Sequence, residues 1–388
     1  MKQTLIAILS IFLFMAEGKA EPLQDYMHSD DSTSLLLDTY GHAEKAKKQK
    51  RGFFGSIGHF VSNFARAFNE FDTTYIEPQK YNYALMLQNT NTYEIYTVSS
   101  KDGQKITFAP EMSYRLGPYF GWRWIFLGWS IDLTHISSSS KSTNRQEYDL
   151  SLYSNLLGLD LYWRETGNNY KVRSMDLGNG VNTDAMKDVD FGGVQSSIRG
   201  FNAYYIFNHK KFSYPAAYSQ STVQRRSAGS FLAGIGYTYQ KLGIDWDRLD
   251  QLVEDRLGND AKQEMDSTLT FGVIKYTDIN ISCGYAYNWV FARHWLFDIS
   301  LQVALAYKQS KQDLKGDTFS FRDFHANNFN VDGVGRFGIV YNDMKWYAGM
   351  SSVLHSYRYS KKHFSTNNVF GNVNIYVGFN FGKKKEYK

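Results

Sequence analysis

The 388-residue sequence contains a single cysteine, Cys283, so no intramolecular disulfide can form. We interpret Cys283 as an ordinary small residue of a strand. The amino-terminal region contains no cysteine, which excludes anchoring as a lipoprotein through an amino-terminal thiol. Whatever fold the chain adopts therefore depends on non-covalent packing and hydrogen bonding.

Long apolar runs are also lacking. The longest, residues 4–15, has twelve residues, whereas a membrane-spanning helix needs about 20. This run follows Lys2 and precedes Gly18-Lys19-Ala20, which puts small residues where a signal peptidase reads. We predict a signal peptide over residues 1–20 with cleavage after Ala20. The mature protein is then periplasmic, exported, or inserted in a membrane as a barrel.

Proline is scarce, with 5 residues, while aromatic residues make up 17% of the chain and include 29 Tyr and 28 Phe. Aromatic residues suit pleated surfaces and membrane interfaces, and few prolines leave hydrogen-bonded ladders uninterrupted. The 43 basic and 38 acidic residues are spread along the chain. Because nucleic-acid binding calls for a clustered basic face, we expect no nucleic-acid partner. The composition indicates extended strands.

Residues 21–79 differ from the rest of the chain. A polar stretch and a basic run at 45–51 lead into FFGSIGHFVSNFARAFNEF, where apolar residues recur every three or four positions. This spacing predicts an amphipathic helix at about 53–70, with one face formed by Phe53, Ile57, Phe60, Val61, Phe64, Ala65 and Phe68. The helix either lies on a membrane surface or packs against or inside the following domain.

From residue 80 onward the apolar period changes from 3.6 to 2, which is the period of a strand. In residues 295–308 the polar face includes Asp298, Gln302 and Lys308, and the apolar face carries Trp295, Phe297, Ile299, Leu301, Val303, Leu305 and Tyr307. In residues 368–381, asparagines alternate with valine, isoleucine and phenylalanine. Such alternation is typical of a membrane barrel, with apolar residues toward lipid and polar or small residues toward the lumen.

Twelve segments show strand-like patterns, at about 81–89, 105–116, 122–135, 147–164, 168–175, 193–208, 226–241, 270–290, 295–308, 326–342, 344–359 and 368–381. They predict an all-β fold, a closed antiparallel transmembrane β-barrel of about 12 strands (10–14) over residues 80–382, followed by a basic tail at 383–388. In the second segment Ile106 and Phe108 are predicted to face lipid. A slip of the apolar phase near Leu156 and Leu157 predicts a β-bulge.

The connections alternate between short and long, as in outer-membrane barrels. Short ones fall near 117–121, 165–168, 291–293 and 342–343, and long ones at 136–146, 176–192, 242–269 and 310–325. The stretch 209–225 is an exception, because it is long where a short turn is expected. Within one long connection, DWDRLDQLVEDRL predicts a short helix at 245–257, which is either a lid or partner-binding element or simply a folded loop.

Charged residues on the polar faces are the candidate functional residues. The alternation assigns seven of them to the lumen: Lys105, Glu111, Arg115, Asp132, Asp160, Asp298 and Arg336. Inward charges of both signs either pair into a network that fills the barrel or line a water path. Because about twelve strands make a barrel of intermediate width, we expect a plugged or narrow lumen. The amino-terminal helix is the candidate plug.

Catalytic and metal-binding signals are sparse. None of the nine histidines forms an HExxH motif or a paired spacing typical of a metal site, so we expect no metal and no cofactor. A barrel hydrolase of the lipase or protease type remains the alternative, with His294, His325 and His355 on or near predicted strands. No motif places a nucleophilic serine beside them, and we expect a non-enzymatic protein.

Aromatic residues near predicted strand ends would form interfacial girdles in contact with outer-membrane lipid: Trp122, Trp163, Trp289, Trp295, Trp346 and Tyr376. Phe381 resembles the terminal aromatic residue that the barrel-insertion machinery reads, although GKKKEYK follows it here. The expected partners are therefore lipid and that machinery.

Two segments carry a resemblance to a known family. Residues 211–239, KFSYPAAYSQSTVQRRSAGSFLAGIGYTY, and residues 71–85, FDTTYIEPQKYNYAL, resemble the uncharacterised surface proteins of Bacteroidota known as domain of unknown function 4421. The resemblance covers roughly residues 70–382 and implies an outer-membrane barrel, without a known activity or catalytic residue. The leading hypothesis is a narrow or plugged channel for a small solute, or a membrane platform for surface partners. A soluble periplasmic β-sandwich is a further alternative.

Overall fold

The computed structural model describes residues 70–122, 125–128, 131–133, 146–165, 169–266, 269, 271–310, 328–360 and 364–388. The predicted signal peptide lies outside these ranges, and of the predicted amino-terminal helix only Glu70 is described. Residues 71–388 form one compact unit. Among the helices of the described residues, none combines the length and the hydropathy of a membrane span.

Most of the described chain is strand. In chain order the strands are β1 (Ile76–Pro78), β2 (Tyr81–Ser100), β3 (Lys105–Pro110), β4 (Ser113–Trp122), β5 (Ile125–Gly128), β6 (Ile131–Asp132), β7 (Gln146–Tyr153), β8 (Leu157–Glu165), β9 (Tyr170–Asp176), β10 (Val189–Asp190), β11 (Val194–Ile206), β12 (Thr222–Gln224), β13 (Ala228–Ile244), β14 (Ile274–Ala292), β15 (Trp295–Ser310), β16 (Phe329–Asn342), β17 (Trp346–Ser360) and β18 (Phe364–Lys383). The α-helices are α1 (Tyr214–Tyr218), α2 (Trp246–Leu257) and α3 (Asn259–Gln263). Two 3-10 turns cover Asp184–Met186 and Lys385–Tyr387.

One antiparallel sheet contains all the described strands except β1 and β12, which pair with each other. Its continuous order is β10-β9-β3-β2-β18-β17-β16-β15-β14-β13-β11-β8-β7. β2 pairs through Tyr96–Ser99 with β3 and through Tyr83–Thr92 with β4, and β4 in turn pairs with β5 and β6. The described sheet thus has thirteen strands in one path and three on a branch.

The sheet is strongly curved, because side chains of strands far apart in its order meet on one face. The guanidinium of Arg164 on β8 donates to the carbonyl oxygens of Tyr93 on β2 and Gly371 on β18, at 3.2 Å each. The hydroxyls of Tyr162 on β8 and Tyr357 on β17 are 2.7 Å apart. We call this enclosed side the concave face and the opposite side the convex face. Complete closure stays a prediction, since residues 134–145, between β6 and β7, lie outside the described ranges.

The predicted alternation is confirmed on β15. Asp298, Ser300 and Gln302 are buried on the concave face, whereas Leu301 on the convex face is 62% exposed. On β18, Asn368 and Asn380 are buried, and Ile375 and Val377 are exposed. The strand period of 2 accounts for this result, because every second side chain shares a face.

The structure differs from the predicted faces of residues 105–116. Ile106 and Phe108 are fully buried rather than outward, and Lys105 is exposed. Two consecutive exposed residues, Glu111 and Met112, separate β3 from β4. They break the alternation, so the residues that face inward on β3 belong to the opposite phase from those that face inward on β4. The apolar side of β3 packs on an apolar cluster, so burying it there is favourable.

The predicted β-bulge near residues 156–157 is a turn instead. The segment 147–164 divides into β7 and β8, which pair antiparallel with each other. The Ser154 amide and hydroxyl both donate to the Leu157 carbonyl, at 2.9 Å each, and so close the turn. A chain reversal produces the same slip of apolar phase as a bulge. The predicted helix at 245–257 is confirmed as α2, in which Asp245 accepts a hydrogen bond from the Arg248 amide.

A candidate functional site on the concave face

Residues 208–226, between β11 and β13, form what we call the plug segment. They fall where a short turn was expected, and they contain α1 and β12. Pro215 lies in the first turn of α1, where its missing N–H costs no helical hydrogen bond. Phe212, Tyr214 and Ala217 are completely buried. The segment therefore folds onto the concave face instead of projecting from the sheet.

Apolar contacts hold the plug segment against the wall. Ala216 and Ala217 pack in a cluster with Ala84, Met86, Leu296, Val340, Tyr347 and Tyr376. A side-chain carbon added at Gly338 on β16 would lie 3.6 Å from Cβ of Ala217, so the helix and the strand backbone approach closely. On another side Phe212 and Tyr214 pack with Tyr204, Ile206, Ala228, Leu232 and Ala286. The plug segment is thus built into the interior of the curved sheet.

Polar contacts connect the same segment to four strands. The Tyr218 hydroxyl donates to Asp298 on β15, and the Gln220 amide donates to the hydroxyl of Tyr376 on β18 at 2.7 Å. The Asn288 amide on β14 donates to the Ser213 carbonyl at 2.9 Å. β12 pairs with β1, and Arg225 donates to Glu77 at 2.8 Å. The plug segment therefore has hydrogen-bonded partners on several sides.

Glu77 joins the plug segment to the start of the described chain. Its partial burial opposes the charged form, but hydrogen bonds and charges from Lys80 and Arg225 outweigh this effect and lower its pKa below the ordinary 4.5. The Lys80 ammonium lies 2.8 Å from its carboxylate. Glu77 is therefore held as a carboxylate between two cations.

The predicted residues Asp160 and Arg336 form an ion pair beside the plug segment. Arg336 on β16 donates to Asp160 on β8 and to Gln302 on β15, and all three side chains are buried. Its guanidinium carbon lies 4.5 Å from the ring centre of Tyr204. A buried cation needs such compensation, because removing a charged side chain from water costs roughly several kcal/mol per ion. The pair fills the middle of the concave face.

A second buried cluster lies around Lys308 on β15. Its ammonium lies 2.7 Å from Asp332 and 3.2 Å from Asp278, and it donates to the Arg358 carbonyl at 2.7 Å. Nearby, a cavity of about 10 Å³ is lined by Asn202, Asn280, Ser282, Gln302, Ala304, Asp332, Val334 and Tyr357. That volume is enough for about one water molecule. Side chains occupy most of the space at this level.

The far end of the concave face is closed by an apolar cap, formed by the described residues of 170–193 and 245–271. Leu249 and Val253 of α2 pack with Ile106, Phe108 and Val98. The Gln104 amide donates to the carbonyls of Leu177, at 2.9 Å, and Glu264, at 2.6 Å. We call this the cap end and the other the plug end. The concave face is thus filled by the plug segment, by paired charges and by the cap.

The other predicted lumen residues lie elsewhere. Asp298 is buried against the plug segment, but Lys105 and Glu111 are exposed, and Glu111 is 2.8 Å from Lys171. Arg115 is half-buried and stands opposite Asp132 in the β4–β6 register. Of the Asp132 side chain nothing is described. On the concave face, Asp160 pairs with Arg336, and Asp298 is held by the plug segment beside them.

Among the described residues, sequence reasoning missed five buried charged ones: Glu94, Arg164, Asp278, Lys308 and Asp332. All except Glu94 belong to predicted alternating segments, and Lys308 is on the polar face recognised in residues 295–308. A systematic reading of charge on every polar face would have found Lys308. The period does not say which charges pair, because partners come from distant segments.

Aromatic residues at the strand ends follow the girdle prediction in part. Trp163, Trp289, Trp295 and Trp346 are exposed. Tyr376 is buried instead, because its neighbours Ile375 and Val377 occupy the convex face and the alternation turns it inward. The side chain of Trp122 is not among those described. Tyr376 thus contacts the plug segment rather than the convex surroundings.

The two described histidines among those considered for hydrolysis, His294 and His355, lie in different elements. The buried ring of His355 stacks on Phe370 with centroids 5.0 Å apart. His294 lies in the exposed turn between β14 and β15 with a φ of 67°. His325 lies outside the described residues. The hydrolase alternative stays a prediction that only an activity assay tests.

Comparison with solved structures finds outer-membrane proteins of low similarity. The outer membrane protease OmpT from Escherichia coli is 5% identical, with a TM-score of 0.32, and the match covers 77% of this chain and 97% of OmpT. The translocator domain of the autotransporter NalP from Neisseria meningitidis is 11% identical, with a TM-score of 0.28 and coverage of 84% and 98%. The toluene transporter TodX from P. putida is 9% identical, with a TM-score of 0.20 and coverage of 78% and 91%.

No curated protein matches the sequence. The family model that matches is that of domain of unknown function 4421 (DUF4421), over residues 70–381. This range includes every strand of the curved sheet except the end of β18, together with the plug segment. The expected source in Bacteroidota stays a prediction. The chain belongs to the DUF4421 family.

Proposed function

We propose that this protein is an outer-membrane β-barrel with a filled interior, which anchors the cap at the cell surface as a platform for surface partners. Closure into a barrel is supported by the strand order. Apart from β3, β9 and β10 at the cap end, and with β5 and β6 taken as one broken strand, the sheet has twelve strands. β6 and β7 are consecutive in the chain, so pairing between them would complete the ring.

The convex face favours contact with lipid. Its large apolar side chains include several that are more than half exposed: Phe231, Ile235, Ile281, Leu301 and Val331. They belong to four adjacent strands, β13 to β16. A contiguous exposed apolar surface is unfavourable in water and indicates an interaction site. On a membrane barrel, such an apolar outer surface contacts the hydrocarbon chains of the lipid.

The height of the apolar band fits a bilayer. On β18 the convex face is apolar or glycine from Val369 to Phe381. Twelve residue steps of about 3.4 Å give roughly 41 Å along the strand. At a strand tilt of about 45° the band is roughly 29 Å high, close to the hydrocarbon thickness of about 30 Å.

The lengths of the connections support an orientation in the membrane. The turns between β14 and β15 and between β16 and β17 are short and lie at the plug end, as do residues 81 and 383. The connection that contains α2 and α3 lies at the cap end. Outer-membrane barrels have short periplasmic turns and longer external loops. The cap is therefore external, and cleavage after Ala20 would deliver the chain to the periplasm for insertion.

The filled concave face is the observation that carries the platform role. The plug segment, the two ion-pair clusters and the apolar cap together leave little space between them. A barrel filled in this way supports a surface domain without conducting. The purified full chain in planar lipid bilayers should show no steady conductance. Steady wild-type conductance would contradict the proposal.

Surface display gives a second test. In a Cys283→Ser background, Asp255→Cys on α2 should react with a membrane-impermeant maleimide on intact cells, because Asp255 is exposed in the cap. Lys385→Cys, in the carboxy-terminal 3-10 turn, is the control at the plug end and should react only after the cells are broken. The reverse labelling would contradict the orientation.

A gated channel is the second candidate, and the polar contacts of the plug segment favour it. If that segment moved away, Asn288, Asp298 and Ser300 would line the exposed wall. The close approach of Gly338 and Ala217 permits an engineered disulfide. The distance of 3.6 Å from a Cβ built at Gly338 to the Cβ of Ala217 lies within the range of about 3.5–4.5 Å found between the Cβ atoms of a disulfide. In a Cys283→Ser background, Gly338→Cys with Ala217→Cys would tether the plug segment to β16.

The tethered variant distinguishes the two roles. For a channel, uptake of small hydrophilic solutes by cells should fall on oxidation and return on reduction. For a platform, uptake should be the same in both states and equal to that of cells without the protein. The single variant Ala217→Cys is the matched control, since it changes the packing without forming the tether.

A further inference from the structure

A polar groove of about 380 Å³ lies on the convex face, across β3, β2, β18, β17 and β16. Five of its polar residues lie in two neighbouring cross-strand rows. Arg358, Asn367 and Thr97 are consecutive partners in one row, and Ser365 and Ser99 are partners in the next. Lys105 on β3 extends the second row, because it pairs with Ser99. The groove is therefore a continuous polar surface and not a gap between loops.

The groove begins where the apolar band ends. Along β18 the outward residues change from Val369 to Asn367, and along β2 they change from Ile95 to Thr97. On β17 the exposed Leu354 is followed on the same face by Ser356 and then by Arg358. The change falls toward the cap end on all three strands. In the orientation proposed above, the groove lies at the level of the outer-leaflet headgroups.

The charged side chains that line the groove are all positive. Lys105 and Arg358 are exposed, and the residues that line the groove include no acidic side chain. The two cations lie on strands three spacings apart, which is roughly 14 Å at about 4.8 Å per spacing. That separation is too large for one phosphate to contact both strands directly. A headgroup with two anionic groups suits it better.

The backbone at Arg358 is fixed from the concave face. Its N–H donates to Asp332 at 2.9 Å, and its carbonyl accepts from Lys308 at 2.7 Å. Both partners are buried, so the position from which the guanidinium projects is rigid. Pre-organisation of this kind lowers the entropic cost of binding an anion. The hydroxyls and the amide beside it supply neutral donors for phosphate oxygens.

We propose that this groove binds the phosphate groups of a lipid headgroup in the outer leaflet. The inference rests on the proposed location in the outer membrane, though not on the platform or the channel role. Arg358 and Lys105 would each bind one phosphate, and Thr97, Ser99, Ser365 and Asn367 would bind the oxygens between them. Arginine and lysine side chains both bind phosphate, and arginine does so in bidentate geometry. The acyl chains would continue along the apolar band below.

Native mass spectrometry of the purified full chain in detergent tests the proposal. The probes are bisphosphorylated lipid A, the same lipid with its phosphates removed, and inorganic pyrophosphate. The variant is Lys105→Gln with Arg358→Gln. The matched control is Lys241→Gln with Lys275→Gln, a half-buried pair of lysines that are cross-strand partners outside the groove. Resistance to trypsin and heat-dependent gel mobility confirm that each variant is folded.

The bisphosphorylated lipid should bind, and the groove variant should bind it on the order of tenfold more weakly, as expected for the loss of charge-assisted contacts. The control variant should retain wild-type binding. Equal binding of the dephosphorylated lipid, or equal loss in the control variant, would overturn the proposal. Displacement of the lipid by equimolar pyrophosphate would also overturn it, in favour of a site for free phosphate. Failure of the membrane location itself would appear separately, as mature chain recovered from the aqueous fraction of lysed cells.

Discussion

Arg336 and Asp160 form a buried ion pair across the concave face, although they are 176 residues apart in the chain. Arg336 is on β16 and Asp160 on β8, strands separated in the sheet by β15, β14, β13 and β11. The contact is possible only because the sheet curves. The pair therefore depends on the architecture and also fills its interior.

Breaking this pair should destabilise the protein. Arg336→Met leaves Asp160 buried without its cation, and we expect a loss of about 3–5 kcal/mol in the free energy of unfolding. Urea unfolding in detergent measures it. The double variant Arg336→Met with Asp160→Leu should recover much of the loss, because an apolar pair leaves no orphaned charge. Arg248→Met, on the exposed side of α2, is the control. An equal effect in control and single variant would refute this role.

Gly371 on β18 should not tolerate a side chain. An alanine Cβ there would lie 2.0 Å from the Val353 carbonyl oxygen, a backbone atom that cannot rotate away. The carbonyl of Gly371 also accepts a hydrogen bond from Arg164. Gly371→Ala should cost about 3 kcal/mol. At Gly335, on β16, an added Cβ meets nothing within 4 Å, so Gly335→Ala should be neutral or slightly stabilising. Similar refolding yields and urea midpoints for the two variants would contradict the close packing of β17 and β18.

A charged residue introduced into the apolar band tests whether the convex face contacts lipid or water. Ile281 lies near the middle of β14 and is 63% exposed. In a bilayer Ile281→Lys should cost about 2–4 kcal/mol, whereas Ser360→Lys, at the cap end of β17, should cost at most about 1 kcal/mol. Unfolding from liposomes measures both. If Ile281→Lys were neutral, the convex face would not contact lipid.

The contact between Glu77 and Arg225 should depend on pH. Because the folded protein lowers the pKa of Glu77, the ionised carboxylate contributes stability above pH 4.5, and that stability is lost as the pH falls through the lowered pKa. Hydrogen exchange at the backbone amides of Ile76 and Glu77 should therefore lose protection as the pH falls below 4.5, beyond the change in intrinsic rate. Glu77→Gln should exchange faster at pH 6 and show a flat profile. The same pH dependence in wild type and Glu77→Gln would show that another group is responsible.

The strand pattern was predictable for the parts of the sheet with a polar interior. On β15, Leu301 is outward and Gln302 inward, as the alternation of residues 295–308 predicts. On β3 the same rule fails, since Phe108 is covered by the cap and Lys105 is outward. Alternation separates two faces but does not say which is enclosed. An apolar cluster inside the sheet reverses the assignment.

The sequence predicts that the amino-terminal helix at about 53–70 is the plug, and of this helix only Glu70 is described. The described structure has residues 208–226 on the concave face. The sequence signal for this segment was indirect, since it appeared only as a long connection where a short turn was expected. Tyr218 and Ala217 carry no pattern that identifies a partner on β15 or β16.

The amino-acid sequence alone determined the β-class of the chain, the alternating faces of its long strands and the helix at α2. These properties depend on side-chain periods over a few consecutive residues. The tertiary structure decided what fills the curved sheet: the plug segment, the pairing of Arg336 with Asp160 and of Lys308 with Asp332, and the cap over β3. Those contacts join residues distant in the chain, and a local period contains no information about which distant segments meet when the sheet curves.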